Sequence, residues 1–221
     1  LRMGYCYEYG IGVEKDLQKA VTFYQEVSDE GVAQGQCALG FCYENGIGVE
    51  PSAERAFELY LQAAEQGDAP AQCNLGYFYN NGIGTETDAE AAIQWLAASA
   101  RQRYPRAQLI LGEMYEMGDG LPKDLQKALR LYQLAAKAGY SPAQYKLGLM
   151  YYHGVGITKN EVLAVEWLEK AAQQEFPEAQ FFLGYCYENG YGVTQDAAQA
   201  IGFYRLAAEQ EYPVAQYVLG Y

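Results

Sequence analysis

The fold of this chain is decided by the stretch Ala71-Gln72-Cys73-Asn74-Leu75-Gly76-Tyr77-Phe78-Tyr79-Asn80-Asn81-Gly82-Ile83-Gly84. Its skeleton, Ala-Gln-x-x-Leu-Gly-x-x-Tyr-x-x-Gly-x-Gly, returns every 36 residues with no insertion or deletion. The glycine at its centre marks this period along the whole sequence, at Gly4, Gly40, Gly76, Gly112, Gly148, Gly184 and Gly220. Repetition at a fixed period of roughly 20 to 50 residues is the signature of a solenoid. The sequence therefore predicts a repeat array.

Each unit contains two predicted helices, so the predicted class is all-α. The first helix ends at Gly-x-Gly, whose glycines allow the positive φ needed where the chain reverses. The second helix shows apolar residues at i, i+3 and i+4 spacing. It begins at a residue whose side chain can cap a helix N-terminus: Asp16, Ser52, Asp88, Asp124, Asn160 and Asp196. First helices begin with prolines suited to a first turn: Pro70, Pro105, Pro142, Pro177 and Pro213.

The two helices of a unit are predicted to pack closely. A glycine inside a helix costs about 1 kcal/mol relative to alanine, so one at every period indicates a contact too close for a side chain. The second helices present a small residue at Ala20, Ala56, Ala92, Ala128, Ala164 and Ala200. A large residue follows four positions later, at Tyr24, Tyr60, Leu96, Tyr132, Leu168 and Tyr204.

The whole chain, 1–221, is predicted to form a single array of about six units. Phased on the Ala-Gln pair, the units are 1–34 (a partial first repeat), 35–70, 71–106, 107–142, 143–178 and 179–214, with the start of a seventh at 215–221. Both ends fall inside a repeat, and no polar capping repeat is visible. The expectation is a fragment of a longer protein.

The composition argues against several partners. The formal net charge is −13, and an acidic surface repels phosphate backbones and anionic lipids, so nucleic acid and membrane surfaces are not expected. No apolar run approaches the roughly 20 residues of a membrane span. A basic partner would be attracted.

The five cysteines fall at two repeat positions of the first helices: Cys6, Cys42 and Cys186 at one, Cys37 and Cys73 at the other. Equivalent positions in adjacent repeats lie about 9–10 Å apart at normal helix spacing, too far for a disulfide. The prediction is five free thiols, which favours a reducing, cytoplasmic compartment. A leader outside the sequence would change that assignment.

The motif resembles the Sel1-like repeat. Close matches are Gly46-Ile47-Gly48-Val49 and Asp124-Leu125-Gln126-Lys127-Ala128 followed by Tyr132-Gln133-Leu134-Ala135-Ala136. The resemblance covers the whole chain and implies a right-handed α/α superhelical solenoid related to tetratricopeptide repeats. It also implies an adaptor or scaffold, as in endoplasmic-reticulum-associated degradation, bacterial signalling or bacterial contact with host cells. First helices line the concave surface of such solenoids.

Candidate partner-binding residues follow from that placement. The residue after the helical glycine is predicted to face the groove; this position reads Tyr5, Phe41, Tyr77, Glu113, Leu149, Tyr185 and Tyr221. The residue two before the leucine is predicted to do the same, and it includes Cys37, Cys73, Tyr145 and Phe181. Rows of exposed aromatic residues mark contact surfaces. The alternative is that these rings pack against neighbouring helices.

Polar residues recur at the ends of the first helices. Glu8, Glu44, Glu116 and Glu188 follow the tyrosine of the skeleton, and Asn45, Asn81 and Asn189 come one later. An asparagine amide can bond an extended peptide backbone, and carboxylates beside it would select lysine or arginine. The hypothesis is a peptide or protein partner with apolar anchors and basic character. The structural alternative is an ordinary helix exit into a turn.

Catalysis is not expected. His153, at a groove-facing position, is the only histidine, so neither a histidine metal site nor a catalytic Ser-His or Cys-His pair has its parts. No cofactor, metal or small-molecule substrate is expected. One alternative is an architectural spacer whose partners bind elsewhere. A further one comes from the resemblance: secreted bacterial relatives with cysteine-paired repeats imply penicillin binding or weak β-lactamase activity, but those carry a cysteine in both helices of a unit.

Overall fold

The computed structural model describes residues 1–220, and every regular element among them is an α-helix. The chain forms two compact units, Leu1–Ala107 and Gln108–Tyr221. The first unit contains α1 Arg2–Tyr9, α2 Leu17–Asp29, α3 Ala33–Asn45, α4 Ala53–Glu65, α5 Ala69–Asn81, α6 Ala89–Arg101 and the start of α7 Pro105–Met117. The second contains the rest of α7, then α8 Leu125–Lys137, α9 Ser141–His153, α10 Glu161–Ala172, α11 Pro177–Asn189, α12 Ala197–Glu209 and α13 Pro213–Leu219.

Within each unit, consecutive helices pack against each other as antiparallel pairs. The predicted fold class is confirmed: an all-α repeat solenoid with a 36-residue period. Odd-numbered helices are the first helices of their repeats and even-numbered ones are the second helices.

The predicted helix starts are confirmed. In all six second helices the capping side chain accepts a backbone N–H from the first turn; Asp16 accepts from Lys19 at 3.0 Å, for example. Five first helices have proline at or next to their first position. Both devices satisfy or remove amides that would otherwise lack a partner.

The predicted close packing is also confirmed. A Cβ built on Gly76 would lie 2.7 Å from Leu96 Cγ, and one on Gly184 would lie 2.8 Å from Tyr204 Cδ1. Distances of 2.5–2.9 Å hold at the equivalent glycine of every repeat from Gly4 to Gly184. The large residue of the second helix therefore packs directly on the glycine backbone of the first.

A chain of side-chain amides joins neighbouring repeats. Gln144 donates to the Ala136 carbonyl at 3.2 Å, and its own oxygen accepts from Gln174 at 2.8 Å. Gln72 and Gln180 make the same two bonds with their neighbours. The glutamine of the Ala-Gln pair is buried, so this bonding satisfies a polar group that would be costly to leave unpaired.

Candidate functional site

Four exposed aromatic rings lie on the first helices of the first unit; one is Tyr9 at the end of α1, and the other three share a repeat position. Tyr5, Phe41 and Tyr77 follow the packing glycine of α1, α3 and α5, and they are 52%, 43% and 37% exposed. We call these three residues the aromatic row. Rings this exposed contribute little to the core and are available to a partner.

A cavity of about 540 Å³ lies in the same unit, and we call it the Cys37 cavity. Residues of α1, α3 and α5 line it, together with the chain around the start of α7. The lining includes Tyr5, Tyr9, Cys37, Phe41, Asp68, Pro70, Asn74 and Arg106. Two members of the aromatic row therefore border it directly.

The polar groups of the cavity are held in place by local structure. Asp68 caps α5, with Oδ1 accepting the Ala71 N–H at 2.9 Å. Arg106 donates from Nη1 to Asn74 Oδ1 at 2.8 Å and lies over the Tyr77 ring, 5.8 Å from its centroid. Burial, assisted by the nearby Asp68 carboxylate, raises the pKa of the Cys37 thiol. The thiol is therefore protonated at neutral pH and is a poor nucleophile.

The recurring glutamates are bonded to tyrosines of their own repeats. Tyr24 donates to Glu8 at 2.6 Å, and the same bond joins Tyr60 to Glu44, Tyr132 to Glu116 and Tyr204 to Glu188. In the two remaining repeats the second helix carries Leu96 or Leu168, and the glutamate position then holds Asn80 or Tyr152. The glutamate occurs only where a tyrosine can donate to it, which assigns it a structural partner in every case.

These glutamates differ in what else surrounds them. In the second unit, Lys146 lies 3.1 Å from Glu113 and 4.0 Å from Glu116. Within residues 1–220, Glu8 and Glu44 belong to no ion pair. These two carboxylates of the first unit are therefore open to a cation of a partner.

The predicted asparagines close the ends of the first helices. The Nδ2 groups of Asn45, Asn81 and Asn189 donate to the carbonyls of Phe41, Tyr77 and Tyr185 at 2.8–2.9 Å. All three side chains are exposed. They have a local bond, and each keeps an oxygen and one N–H that this bond does not use.

The remaining predicted residues lie in the second unit. Tyr145 and Phe181 are half-buried and pack against Phe176 and Tyr212, with ring centroids 5.6 Å apart in both pairs. Tyr185 packs against Phe182 and Tyr191, and His153 is exposed beside Tyr152. Tyr221 lies outside the described residues.

The prediction that Cys73 faces an open groove is wrong, since its side chain is fully buried. Because α5 packs against both α4 and α6, its buried surface extends beyond the Leu75 and Gly76 positions. The five cysteines are free, as predicted.

Neither a metal cluster nor a spanning helix is found in the described part of the chain. No group of three or more His, Cys, Asp or Glu side chains in residues 1–220 could hold a metal ion. No helix there has the length and apolar character needed to cross a membrane.

The fold and its 36-residue period together define an α-helical repeat protein. Sel1 repeats match residues 1–32, 33–68, 69–104, 105–140, 141–176 and 177–212. The chain belongs to the Sel1 repeat family. From the second repeat onward, each matched repeat begins two residues before the unit phased on Ala-Gln, at the first residue of its first helix.

Solved structures of related proteins agree with this assignment. A Sel1 repeat protein from Oxalobacter formigenes is 32% identical, with a TM-score of 0.87 over 100% of this chain and 64% of that one. The c5321 protective antigen of uropathogenic Escherichia coli, which has an SLR fold, is 33% identical, with a TM-score of 0.82 over 100% of this chain and 47% of that one. The immunity protein Pa5087 of Pseudomonas aeruginosa shares the fold. It is 19% identical, with a TM-score of 0.67 over 96% of this chain and 83% of that one.

The chain spans 64% and 47% of the length of the first two relatives. A search of curated proteins found no match. Sel1 repeats generally mediate protein–protein interactions, and proteins built from them are typically non-enzymatic scaffolds.

Proposed function

We propose that this chain is a non-enzymatic scaffold that binds a segment of a protein partner on the first-helix face of its first unit. The observation that carries the proposal is the aromatic row beside the Cys37 cavity. Tyr5, Phe41 and Tyr77 present an exposed ring at the same position of three successive repeats. A partner segment crossing successive first helices would meet an aromatic contact at each of them.

Aromatic side chains supply much of the binding energy at protein interfaces. They bury a large area at a small cost in conformational entropy, and truncating a central one typically weakens binding by more than about 1 kcal/mol. The row would provide such anchors on the scaffold side. Asn45 and Asn81, at the ends of α3 and α5, would bond the backbone of the segment.

Charge supports a basic partner. The carboxylates of Glu8 and Glu44 are oriented by Tyr24 and Tyr60 and belong to no ion pair in the described chain. Their accepting capacity is not exhausted by one phenol bond, because a carboxylate offers about four acceptor sites. Lysine or arginine side chains on the partner would complement them and speed association. In the second unit, Glu116, Glu188, Tyr145, Phe181, Tyr185 and His153 remain proposed contacts of the same kind.

A peptide selection tests the proposal. Peptides selected from a random library on the chain would be titrated against the double variant Tyr5→Ala/Phe41→Ala. The matched control is Leu134→Ala/Leu206→Ala, which removes two similarly exposed apolar side chains from second helices. We expect at least about tenfold weaker binding in the first variant and unchanged binding in the control.

Salt dependence provides the second readout. Raising ionic strength from about 0.05 to about 0.5 M shortens the Debye length severalfold, so binding of a basic segment to Glu8 and Glu44 is expected to weaken. If no selected peptide is sensitive to Tyr5→Ala/Phe41→Ala, the proposal is overturned. The architectural spacer would then be favoured.

A further inference from the structure

Two aromatic pairs in the second unit each join a first helix to the residue that precedes the next first helix. Tyr145 of α9 contacts Phe176, the residue that precedes α11, and Phe181 of α11 contacts Tyr212, the residue that precedes α13. The members of each pair are 31 residues apart, and Leu109 and Tyr140 occupy the same two positions one repeat earlier. In the repeats of α9 and α11 the chain fills these two positions with a pair of its own rings.

In the repeat of α3 the same two positions hold Cys37 and Asp68. Cysteine and aspartate are much smaller than the rings of the Tyr145–Phe176 and Phe181–Tyr212 pairs, and both line the Cys37 cavity. Position 68 is unusual among its equivalents, which read Val32, Tyr104, Tyr140, Phe176 and Tyr212. The cavity is therefore at the position that an aromatic pair occupies in the repeats of α9 and α11.

We propose that the Cys37 cavity receives a tyrosine or tryptophan side chain of the bound partner segment. This inference rests on the proposed function, because it names the anchor residue of the segment bound there. The incoming ring occupies the position that corresponds to the Tyr145–Phe176 pair of the later repeat. It packs on Ala38, Phe41 and Pro70, which line the cavity. A volume of about 540 Å³ exceeds what one side chain requires, so flanking atoms of the segment enter as well.

Asp68 specifies the polar edge of the ring. Its Oδ1 accepts the Ala71 N–H, and the carboxylate retains further acceptor sites. A phenol O–H or an indole N–H can donate to it, whereas phenylalanine and leucine cannot. Asp68 also belongs to no ion pair among residues 1–220, and neither does Glu8. Arg2 and Arg106 also line the cavity without pairing with these carboxylates, and Arg106 donates to Asn74. Asp68 and Glu8 can therefore accept from a lysine or arginine that flanks the ring.

Short peptides provide a direct test. Acetyl-Lys-Tyr-Lys-amide and acetyl-Lys-Leu-Lys-amide have equal charge and differ only in the central side chain. Titrated into ¹⁵N-labelled protein, the tyrosine peptide is expected to bind about tenfold more tightly and to shift the amides of Cys37, Asp68 and Asn74 most. Equal affinities, or shifts confined to other residues, would overturn the inference.

A filled cavity provides the matched variant. Cys37→Tyr/Asp68→Phe copies the Tyr145–Phe176 pair and is expected to abolish the preference for tyrosine. If that double variant loses its helical circular dichroism, Cys37→Phe fills the cavity while keeping the Asp68 cap. The control is Tyr217→Ala in the second unit, at the repeat position of Cys37 and 85% exposed, which is expected to bind both peptides as the parent chain does. A filled, folded variant that keeps its preference for tyrosine would contradict the inference.

The two proposals fail in different ways. Library peptides that lose binding in Tyr5→Ala/Phe41→Ala but lack an aromatic residue, or tolerate the filled cavity, would overturn the aromatic anchor alone. Library peptides indifferent to both sets of variants would overturn the proposed function as well.

Discussion

Replacing Tyr60 by phenylalanine removes one hydroxyl group from a fully buried ring and leaves the Glu44 carboxylate without its donor. Burial, together with the hydrogen bond to Glu44 and its negative charge, raises the pKa of the Tyr60 phenol. The hydroxyl therefore stays protonated and donating across the ordinary pH range. The bond is charge-assisted, joining the second helix α4 to the first helix α3.

The expected loss of stability follows from the burial of the two partners. A hydrogen bond to a charged group contributes about 1.5–3 kcal/mol net. Glu44 is half-buried, so water reaches its carboxylate once the phenol is gone. The lower end of the range applies, and we expect Tyr60→Phe to reduce the free energy of unfolding by about 1.5 kcal/mol.

The assay is urea unfolding followed by circular dichroism for Tyr60→Phe, Glu44→Ala and the double variant. A double-mutant cycle isolates the pair, and we expect a coupling energy of about 1 kcal/mol. The control is Tyr77→Phe, because the Tyr77 ring is exposed and its hydroxyl makes no hydrogen bond within residues 1–220. That control should change stability by less than about 0.5 kcal/mol.

A coupling energy near zero, with Tyr60→Phe no worse than Tyr77→Phe, would refute the structural role of the glutamate. Glu44 would then be explained by partner contacts alone. The repeat that carries Leu96 and Asn80 in place of the tyrosine and glutamate has no such hydrogen bond, so the same cycle at these two positions should give no coupling energy.

Three further predictions concern backbone, packing and titration. Glu175 has φ 60° at a helix end, so Glu175→Gly should raise the unfolding free energy by about 1 kcal/mol, and an unchanged urea midpoint would contradict this. Gly184→Ala should destabilise the protein by about 1–2 kcal/mol, because its Cβ would meet Tyr204. Gly202→Ala, whose Cβ would have nothing within 4 Å, should stabilise the protein by about 0.5–1 kcal/mol. Equal changes in the melting temperatures of the two variants would contradict this prediction. Burial raises the pKa of Cys42 from 9.0 to about 12. The stability that the buried neutral thiol contributes is therefore complete below pH 9.0 and is lost as the pH rises towards about 12. Urea midpoints that are flat across that window would disagree.

Most of the fold could be predicted from sequence because its determinants are local. Capping side chains such as Asp16 and packing glycines such as Gly76 act within one repeat, and the period repeats each determinant several times. A single occurrence of either would have been ambiguous. Their shared phase removed the ambiguity.

The candidate site was predicted less completely because its determinants are far apart in the sequence. Cys37 and Asp68 lie at opposite ends of one repeat, 31 residues apart, and come together at the Cys37 cavity only when α3 and α5 are packed. The sequence does carry a signal for them, since Asp68 is the one acidic residue among apolar and aromatic equivalents. The glutamates carry another, because they alternate with Asn80 and Tyr152 exactly as tyrosine alternates with leucine in the second helix.

Cys73 shows that the core positions Leu75 and Gly76 alone do not predict which other residues of the first helix are buried. Its distance of two residues from Leu75 suggested an open groove, but packing on both sides of α5 buries it. Burial of a first helix depends on both neighbouring second helices, and their side-chain sizes vary among repeats.

Amide chemical shifts of the ¹⁵N-labelled chain can locate the surface at which a library-selected peptide binds. We expect the largest changes on α1, α3 and α5 around Tyr5, Cys37, Phe41, Asp68 and Tyr77, and we expect them to disappear in Tyr5→Ala/Phe41→Ala. Changes concentrated on the second helices, and retained in that variant, would contradict the proposed function.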